Sequence, residues 1–333
     1  MKNKLINVIV LIICAAAVVG MVFFVSKDRK EYAKTAEAAK EKADDMNGPQ
    51  NGVSVITYNG KKYKENTDIK SYLFMGVDER EDDFADEDLT PGKAGQADCL
   101  MLLVLNEKEN EAKILQINRN AMTELDIYDE LGAVNQTING PICLQYAYCT
   151  GGKRSCIAQR GTVEDLLFGI SIDGYLTMSL PGIADINDAL GGVDVAMDED
   201  YTCIDPSFTL GSTVHLAGDL ATKYVQYRDT SRFNSVQDRM DRQTTYVTNM
   251  INSLKNSDGE SLAGRLNDFI GNTILTDLNS NELNDLTTYD YELENVLYLP
   301  GEMTAGDEYE EYNVNNTELQ DMVIDLFYTE AEE

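Results

Sequence analysis

Four arginines fall within a short stretch of this chain: Arg228, Arg232, Arg239 and Arg242. The chain as a whole is strongly acidic, with a formal net charge of −31 at pH 7. A guanidinium presents a planar fork of donors that matches phosphate oxygens in two-point contacts. This basic segment therefore indicates one anionic ligand, bound at one place. The alternative is that these arginines pair with the abundant carboxylates, and spacing alone favours neither.

Two aspartates on either side of an acidic loop could supply metal chemistry. Asp78 and Asp98 stand at the ends of predicted strands, with the carboxylate-rich residues 79–88 between them. If the strands are neighbours, both carboxylates face one point, and such oxygen ligands suit a Mg²⁺ ion shared with substrate phosphates. The cation would neutralise a leaving phosphate while arginines hold its outer oxygens. The alternative is that the two aspartates only cap turns.

The other reactive side chains favour no competing reaction. His215 is the only histidine, and its apolar neighbours indicate a packed structural side chain. A Ser-His-Asp site would need it, and the sequence has neither a Gly-x-Ser-x-Gly elbow nor a Walker phosphate loop. The acidic balance argues against general nucleic-acid binding, which needs a basic face. We therefore expect no nucleic-acid partner.

Strands and helices alternate along the part of the chain that carries these residues. Apolar runs predict strands at residues 72–77, 99–105, 112–117, 175–180 and 193–197. Helices are predicted at residues 162–168, 181–190, 218–224 and 235–255. The second and third strands pair most simply as an antiparallel hairpin, because a short charged turn joins them. The alternation predicts an α/β domain, with helices flanking a central mixed sheet in an α-β-α layering.

An apolar run near the N-terminus indicates where the domain resides. Residues 5–25 are interrupted only by Asn7, and the run is long enough to cross a bilayer as a transmembrane helix. Basic residues flank both ends, so the positive-inside rule is ambiguous. Because the head is short and a large domain follows, we expect a single-pass cell-membrane protein with a cytoplasmic N-terminus and an extracytoplasmic domain. A cleaved signal peptide is the alternative, for which the run is too long.

Shifts in composition divide the chain into five segments. The predicted segments are a cytoplasmic head and transmembrane anchor (1–26), a helical stalk and linker (27–52), a small β-hairpin (53–67), the main domain (68–256) and a C-terminal α/β extension packed on it (257–333). In the third segment, Asn59 and Gly60 lie between β-prone runs and indicate a type I′ turn.

Four cysteines fall in the expected outer domain: Cys143, Cys149, Cys156 and Cys203. An even number of cysteines in an exported domain is typical of disulfides, but four cysteines allow three pairings. A zinc site is the alternative, although the spacings fit no common zinc pattern and only one histidine is present.

Seven segments, in order, carry a resemblance to a known family. They are Met75-Gly-Val-Asp78, Gly95-Gln-Ala-Asp98-Cys99, Ile117-Asn-Arg119-Asn-Ala121, residues 139–148, residues 168–175, Ala189-Leu-Gly-Gly-Val-Asp194, and Tyr227-Arg228 with Arg239-Met-Asp-Arg242-Gln243. Together they resemble the LytR-CpsA-Psr family of bacterial envelope proteins over about residues 70–255. An N-terminal anchor is also typical of that family.

The resemblance implies a transferase of the cell wall. Members move anionic glycopolymers, such as teichoic acids, from a polyprenyl-pyrophosphate carrier onto a sugar hydroxyl of peptidoglycan. Carried over, Asp78 and Asp98 would hold Mg²⁺, and Asp98 and Arg119 would be catalytic. The lipid tail would enter an apolar tunnel between sheet and helices. The implied substrate-binding residues are Arg119, Arg228, Arg239, Arg242, Gln243 and Gln226.

Several positions depart from the family pattern, and most of the departures remove charge. Gln96 and Gln226 stand in place of arginines, and Asn120 and Val236 stand in place of aspartates. A relative that binds polyprenyl pyrophosphate without turnover, in an envelope or regulatory role, is therefore the alternative function. A transcriptional attenuator is disfavoured because the cytoplasmic head is too short to read DNA.

The resemblance also suggests how the cysteines pair. Related sequences often carry cysteines like Cys143 and Cys156, which favours a disulfide between these two. Cys149 and Cys203 would then form the second bridge.

Overall fold

The computed structural model describes residues 55–79, 84–255, 260–306 and 309–331. Among the described residues, the chain divides into two compact units: one lies within residues 66–327, and the other holds residues 55–65 and 328–331. The predicted anchor and stalk lie outside the described residues. No helix within the described ranges is both long enough and apolar enough to cross a membrane.

Fifteen strands and eight α-helices are present in the described ranges. The strands are β1 (Val55–Tyr58), β2 (Lys61–Glu65), β3 (Ile69–Val77), β4 (Ala97–Asn106), β5 (Glu111–Gln116), β6 (Met122–Tyr128), β7 (Val134–Pro141), β8 (Gly174–Ser179), β9 (Val193–Ala196), β10 (Thr213–Leu216), β11 (Ile274–Thr276), β12 (Val296–Tyr298), β13 (Gly301–Ala305), β14 (Glu310–Val314) and β15 (Tyr328–Glu330). The helices are α1 (Leu144–Ala147), α2 (Gly152–Leu166), α3 (Ile183–Leu190), α4 (Asp219–Gln226), α5 (Ser235–Lys255), α6 (Leu262–Leu266), α7 (Ser280–Asp285) and α8 (Asn316–Phe327).

The smaller unit contains a three-stranded sheet in the order β1-β2-β15. The hairpin between β1 and β2 turns at Asn59 and Gly60, whose φ angles are 49° and 78°. Two successive positive φ angles are what a type I′ turn requires, so the predicted turn is confirmed. The third strand comes from the end of the chain, which was predicted as part of the C-terminal extension.

A six-stranded mixed sheet forms the centre of the larger unit, in the order β11-β8-β3-β4-β5-β12. The predicted hairpin is present, because β4 and β5 pair antiparallel. Strand β3 lies antiparallel to β4 and parallel to β8, which makes the sheet mixed. The predicted α/β class with a central mixed sheet is therefore confirmed.

Both faces of this sheet are covered. Alternate residues of β4, such as Met101 and Leu103, belong to the main core cluster together with residues of helices α3 to α7. The residues between them, such as Leu100 and Leu102, are buried as well. Since successive side chains of a strand point to opposite faces, packing must cover the sheet on both sides. Helix α2 contacts β8 and β11.

Helix α2 starts earlier than the sequence predicts. We expected a helix from Thr162, with that residue as its cap, but the helix runs from Gly152, after Gly151 at a φ of 92°. The Thr162 hydroxyl instead donates to the Ala158 carbonyl oxygen within the helix, at 3.1 Å. The buried face of α2 includes polar residues such as Gln159, which hid its helical apolar periodicity.

Strands β3 and β4 place Asp98 at an irregularity in their pairing. Gly76 pairs with Cys99 and Val77 pairs with Ala97, so Asp98 has no partner across the ladder. Such a β-bulge bends the strand and redirects the side chain of the extra residue. The backbone just before this bulge packs closely against the end of β3, because a Cβ on Gly95 would lie 2.2 Å from the carbonyl oxygen of Asp78.

The predicted disulfides are not formed. Cys143, Cys149, Cys156 and Cys203 are all free, and the first three are buried while Cys203 is exposed. The buried thiols have partners of their own: Cys156 Sγ accepts from the Thr177 hydroxyl at 3.3 Å, for example. The pairings implied by the family resemblance are therefore not confirmed.

Candidate functional site

Asp98 lies between two guanidinium groups. Its Oδ1 is 2.8 Å from Arg119 Nε, and its Oδ2 accepts a hydrogen bond from Arg239 Nη1 at 3.1 Å. The three residues come from the bulge of β4, the segment that follows β5, and the first turns of α5. The structure thus brings together three predicted site residues that are far apart in sequence.

Arg239 is the most buried of the predicted ligand-binding arginines that face Asp98. Its residue exposure is 7%, and its Nε and Nη2 atoms have no hydrogen-bond partner among the described residues. Burial lowers the pKa of its guanidinium, and the nearby charges of Arg119 and Arg228 act in the same direction, whereas Asp98 opposes them. Because buried donors without partners are costly, an anion that accepted these two hydrogen bonds would be stabilised here.

Arg119 is held in place by two amides. Its Nη2 donates to Gln96 Oε1 at 2.5 Å, and its Nη1 donates to Asn120 Oδ1 at 3.3 Å. Both amides occupy positions where the family resemblance leads us to expect a charged residue. The amides accept hydrogen bonds from the guanidinium without neutralising its charge.

Arg228 is paired with a carboxylate that the sequence did not reveal. Its Nη2 donates to Glu310 Oε2 at 2.7 Å, and its Nε donates to Ser235 Oγ at 3.0 Å. The partner belongs to β14, in the predicted C-terminal extension. No local pattern marks Glu310, because the contact joins residues that are far apart in the chain.

Arg242 does not face the site, contrary to our expectation. Its Nε donates to the Tyr224 carbonyl oxygen at 2.9 Å, and its Nη2 donates to the Tyr227 carbonyl oxygen. Its guanidinium also lies 5.5 Å from the ring centroid of Tyr201 and 5.8 Å from that of Tyr227. Arg242 therefore ties α5 to the end of α4, which is a structural role.

Arg232 behaves as a surface residue. It forms an exposed ion pair with Asp238 at 3.0 Å. The single histidine, His215, likewise forms an exposed pair with Asp194, at 2.8 Å between Nδ1 and Oδ1. Neither side chain reaches the arginines around Asp98.

An apolar cavity lies beside Asp98, between the sheet and the helices. Its volume is about 50 Å³, so the cavity is narrow in this structure. Its polar lining consists of Asp98, Arg239, Gln226 and Gln243. The remaining lining comes from Phe74, Gly76, Cys99, Met178, Leu180, Ile183, Val225, Tyr246 and Val247. This is where the tunnel for a lipid tail was expected.

The two glutamines of the lining differ in how they are held. Gln243 Nε2 donates to the Val225 carbonyl oxygen at 3.2 Å, and its buried Oε1 has no partner among the described residues. Gln226 is exposed. Gln243 is thus fixed against α4, and Gln226 presents an uncharged side chain at the cavity.

The predicted metal ligands stand at one end of the sheet. Asp78 directly follows β3, and its backbone N–H donates to the Gln96 carbonyl oxygen at 3.0 Å. Gln96 lies two residues before Asp98, so the two aspartates stand close together along the paired strands. Within the described ranges, no group of three or more metal-ligating side chains occurs. Two carboxylates can still suit Mg²⁺, because this ion usually takes its other ligands from substrate phosphates and water.

Comparison with known families accounts for this arrangement. The model of the LytR_cpsA_psr family matches residues 19–326, which is most of the chain. This chain belongs to the LytR_cpsA_psr family. The suspected resemblance is thereby confirmed.

Relatives in the family are named as teichoic acid transferases. The polyisoprenyl-teichoic acid–peptidoglycan teichoic acid transferase TagU of Bacillus cereus (strain AH820) is 31% identical over 197 residues, which cover 59% of this chain and 55% of that protein. The TagU of Halalkalibacterium halodurans is 31% identical over 208 residues, covering 62% and 60%. The chain thus spans little more than half the length of these relatives.

Solved structures share the fold. TagV of B. subtilis superposes with a TM-score of 0.56 at 21% identity, covering 78% of this chain and 97% of that one. A structure of TagT bound to LIIa-WTA gives a TM-score of 0.57 at 23% identity, covering 78% and 90%. These similarities establish the mixed α/β fold of the family.

Proposed function

We propose that this protein is a membrane-anchored, extracytoplasmic phosphotransferase of cell-wall assembly. It would move an anionic glycopolymer from a polyprenyl-pyrophosphate carrier onto peptidoglycan. The relatives named above, which carry polyisoprenyl-teichoic acid and peptidoglycan in their names, support this substrate class. The apolar run at residues 5–25 supports the anchor and the location outside the membrane.

The observation that carries the proposal is the pair of guanidiniums at Asp98 beside an apolar cavity. A polyprenyl pyrophosphate has an anionic head and a long apolar tail; the site offers guanidiniums to the head and an apolar lining where the tail would enter. Arg239 has two buried nitrogens without partners, which would bind phosphate oxygens. The side chains of Met178, Leu180 and Val247 line the part that suits the tail.

In the proposed reaction, a sugar hydroxyl of peptidoglycan attacks the phosphorus that bears the polymer. A new P–O bond forms, the bridging P–O bond of the pyrophosphate breaks, and polyprenyl phosphate leaves with the electron pair of that bond. The hydroxyl proton passes to a carboxylate, a role we assign to Asp98. Arg119, Arg228 and Arg239 stabilise the negative charge that accumulates on the phosphate oxygens.

Mg²⁺ is the cofactor that we propose for this step. Asp78 and Asp98 would hold it together with the phosphates of the donor, and it would supply charge neutralisation of the leaving phosphate. The remaining ligands would come from phosphate and water.

A second function is favoured by one set of observations. Gln96, Asn120 and Gln226 carry uncharged amides at positions where the family pattern has charged residues. In addition, Arg228 is already paired with Glu310. A protein of this kind could hold the lipid pyrophosphate without turnover and act in an envelope or regulatory role.

The decisive experiment separates binding from turnover. The full-length protein in detergent micelles would be given Mg²⁺, a polyprenyl-pyrophosphate-linked sugar and a peptidoglycan fragment as the acceptor, and release of polyprenyl phosphate would be measured. We expect release by the wild type and none by Asp98→Ala. Unchanged release by Asp98→Ala would remove its proposed role, and tight binding without release by the wild type would favour the second function.

Arginine variants test the placement of the head group. Arg119→Ala and Arg239→Ala each remove charge-assisted contacts worth about 1.5–3 kcal/mol, so donor affinity should fall about tenfold or more. Arg232→Ala is the matched control, since it removes an arginine of the same segment that pairs only at the surface. Equal affinities for all three variants and the wild type would mean that the donor binds elsewhere.

A further inference from the structure

The Glu310 carboxylate occupies a position that is built to bind an anion. One oxygen, Oε2, lies 2.7 Å from Arg228 Nη2, and the other, Oε1, accepts a hydrogen bond from the Asn234 backbone N–H at 2.8 Å. The two charged side chains are only about a fifth exposed, at 21% for the arginine and 19% for the glutamate. Charged groups that are shielded in this way interact more strongly than a pair on the open surface.

The backbone donor stands at the start of a long helix. Asn234 has a φ of 56° and directly precedes Ser235, the first residue of α5. A backbone N–H at a helix start together with a neighbouring guanidinium is the kind of site that binds phosphate in proteins. The carboxylate therefore uses the same donors that a phosphate group of the substrate would use.

The strand that carries Glu310 also reaches the other side of the candidate site. The Tyr312 backbone N–H donates to the Asn120 carbonyl oxygen at 2.9 Å, and Tyr312 forms an isolated β-bridge with Ala121. Asn120 follows Arg119 directly. Strand β14 is thus hydrogen-bonded through Tyr312 to the segment that presents Arg119. Through Glu310, two residues earlier in the strand, it is hydrogen-bonded to the segment that presents Arg228.

We propose that Glu310 is an internal anion that fills the Arg228 subsite until a donor phosphate displaces it, with strand β14 acting as a strap across the site. The inference rests on the proposed function, because it assigns Arg228 to the donor pyrophosphate. Binding then requires the strap to release its carboxylate. The apparent affinity for the donor is reduced by the fraction of molecules in which Glu310 remains seated.

The test measures binding of geranylgeranyl pyrophosphate to the full-length protein in detergent by calorimetry. Glu310→Gln keeps the size of the side chain but removes its charge, and we expect it to tighten binding by about tenfold. Glu302→Gln is the matched control, because it makes the same change at an exposed position of β13, the strand that pairs with β14, and it should bind as the wild type does. In Glu310→Gln combined with Arg228→Ala, the gain should be lost.

Two results would overturn the inference while leaving the proposed function in place. The first is that Glu310→Gln binds the probe as the wild type does or more weakly, which would make Glu310 a residue that positions Arg228. The second comes from amide hydrogen exchange of the wild type, which does not depend on any variant. Saturating ligand should reduce protection of the Tyr312 amide, which ties the strap to Asn120, and unchanged or increased protection would mean that the strap stays closed with Glu310 seated.

A third result would refute the proposed function while leaving the inference about Glu310 open to test. If neither the wild type nor any variant binds geranylgeranyl pyrophosphate, the proposed function fails. Inorganic pyrophosphate then decides the inference: binding that is gained in Glu310→Gln and lost again with Arg228→Ala supports the internal anion, and no gain refutes it.

Discussion

The charge of Asp98 should stabilise the folded protein measurably, and Asp98→Asn tests this with a minimal change of shape. The side-chain exposures are 21% for Asp98, 14% for Arg119 and 9% for Arg239, so the removal would leave two shielded guanidiniums facing each other. Breaking a fully buried pair costs about 3–5 kcal/mol. Since Asp98 is partly solvated, we expect the free energy of unfolding to fall by about 2–3 kcal/mol.

The measurement is urea unfolding of the wild type and two variants at low and high salt. Arg232→Gln is the control, because it breaks a pair of similar length, 3.0 Å, whose side chains are 62% and 44% exposed. We expect the control to change the free energy of unfolding by no more than about 0.5 kcal/mol. A change in Asp98→Asn as small as that of the control would refute the claim that the two arginines are held by this carboxylate.

An added anion provides a second readout of the same reasoning. In Asp98→Asn, the donors of Arg119 and Arg239 lose their shared acceptor, so inorganic pyrophosphate should bind them and restore stability. With Mg²⁺ chelated, it should raise the melting temperature of the variant more than that of the wild type. A larger rise in the wild type would contradict this picture of the site.

Three further outcomes are expected. Gly95→Ala places a Cβ 2.2 Å from the carbonyl oxygen of Asp78 and should lower the free energy of unfolding by about 3 kcal/mol or more. Gly161→Ala, whose new Cβ lies in open space on α2, should raise the free energy of unfolding by about 0.5–1 kcal/mol. Urea unfolding of both variants measures the contrast. Cys203 is exposed and should react with a thiol reagent in a fast phase that Cys203→Ser removes, whereas Cys99, whose pKa burial raises to about 12, should react only on unfolding. Burial also raises the pKa of the Tyr72 hydroxyl to about 12. Because both groups ionise at lower pH in the unfolded chain, stability should be complete below pH 9 and should fall as the pH rises towards 12; a urea midpoint that stays constant over this range would exclude the effect.

Elements with a strong local pattern could be predicted, and weakly patterned edge hairpins could not. Helix α5 has the predicted bounds, because its buried residues recur at helical spacing from Val236 to Leu254. Strand β4 is buried on both faces and reads as a continuous apolar run. Strand β7 is mostly exposed and polar, so no apolar alternation marked it. The same holds for β13.

In the candidate site as well, residues that belong to motifs could be predicted, and contacts between distant segments could not. Asp98, Arg119 and Arg239 were predicted from ordered motifs, and the fold brings them into contact. The structural role of Arg242 was not predictable, because it depends on carbonyl oxygens exposed where α4 ends. The pairing of Glu310 was not predictable either, because nothing in the sequence links β14 to the loop before α5.

The charges around the site suggest how a family member with fewer charged residues could still bind the complete pyrophosphate donor. Arg119, Arg228 and Arg239 face the carboxylates of Asp98 and Glu310, so positive charge exceeds negative charge by one in the strapped state. Release of Glu310 raises that excess to two without any added arginine. The donor would thus meet a more positive site than the resting structure presents, and the amides at positions that depart from the family pattern affect the charge of both states equally. If this is how the site works, Glu310→Gln should accelerate transfer as well as tighten binding. A protein that only holds the lipid would gain affinity alone.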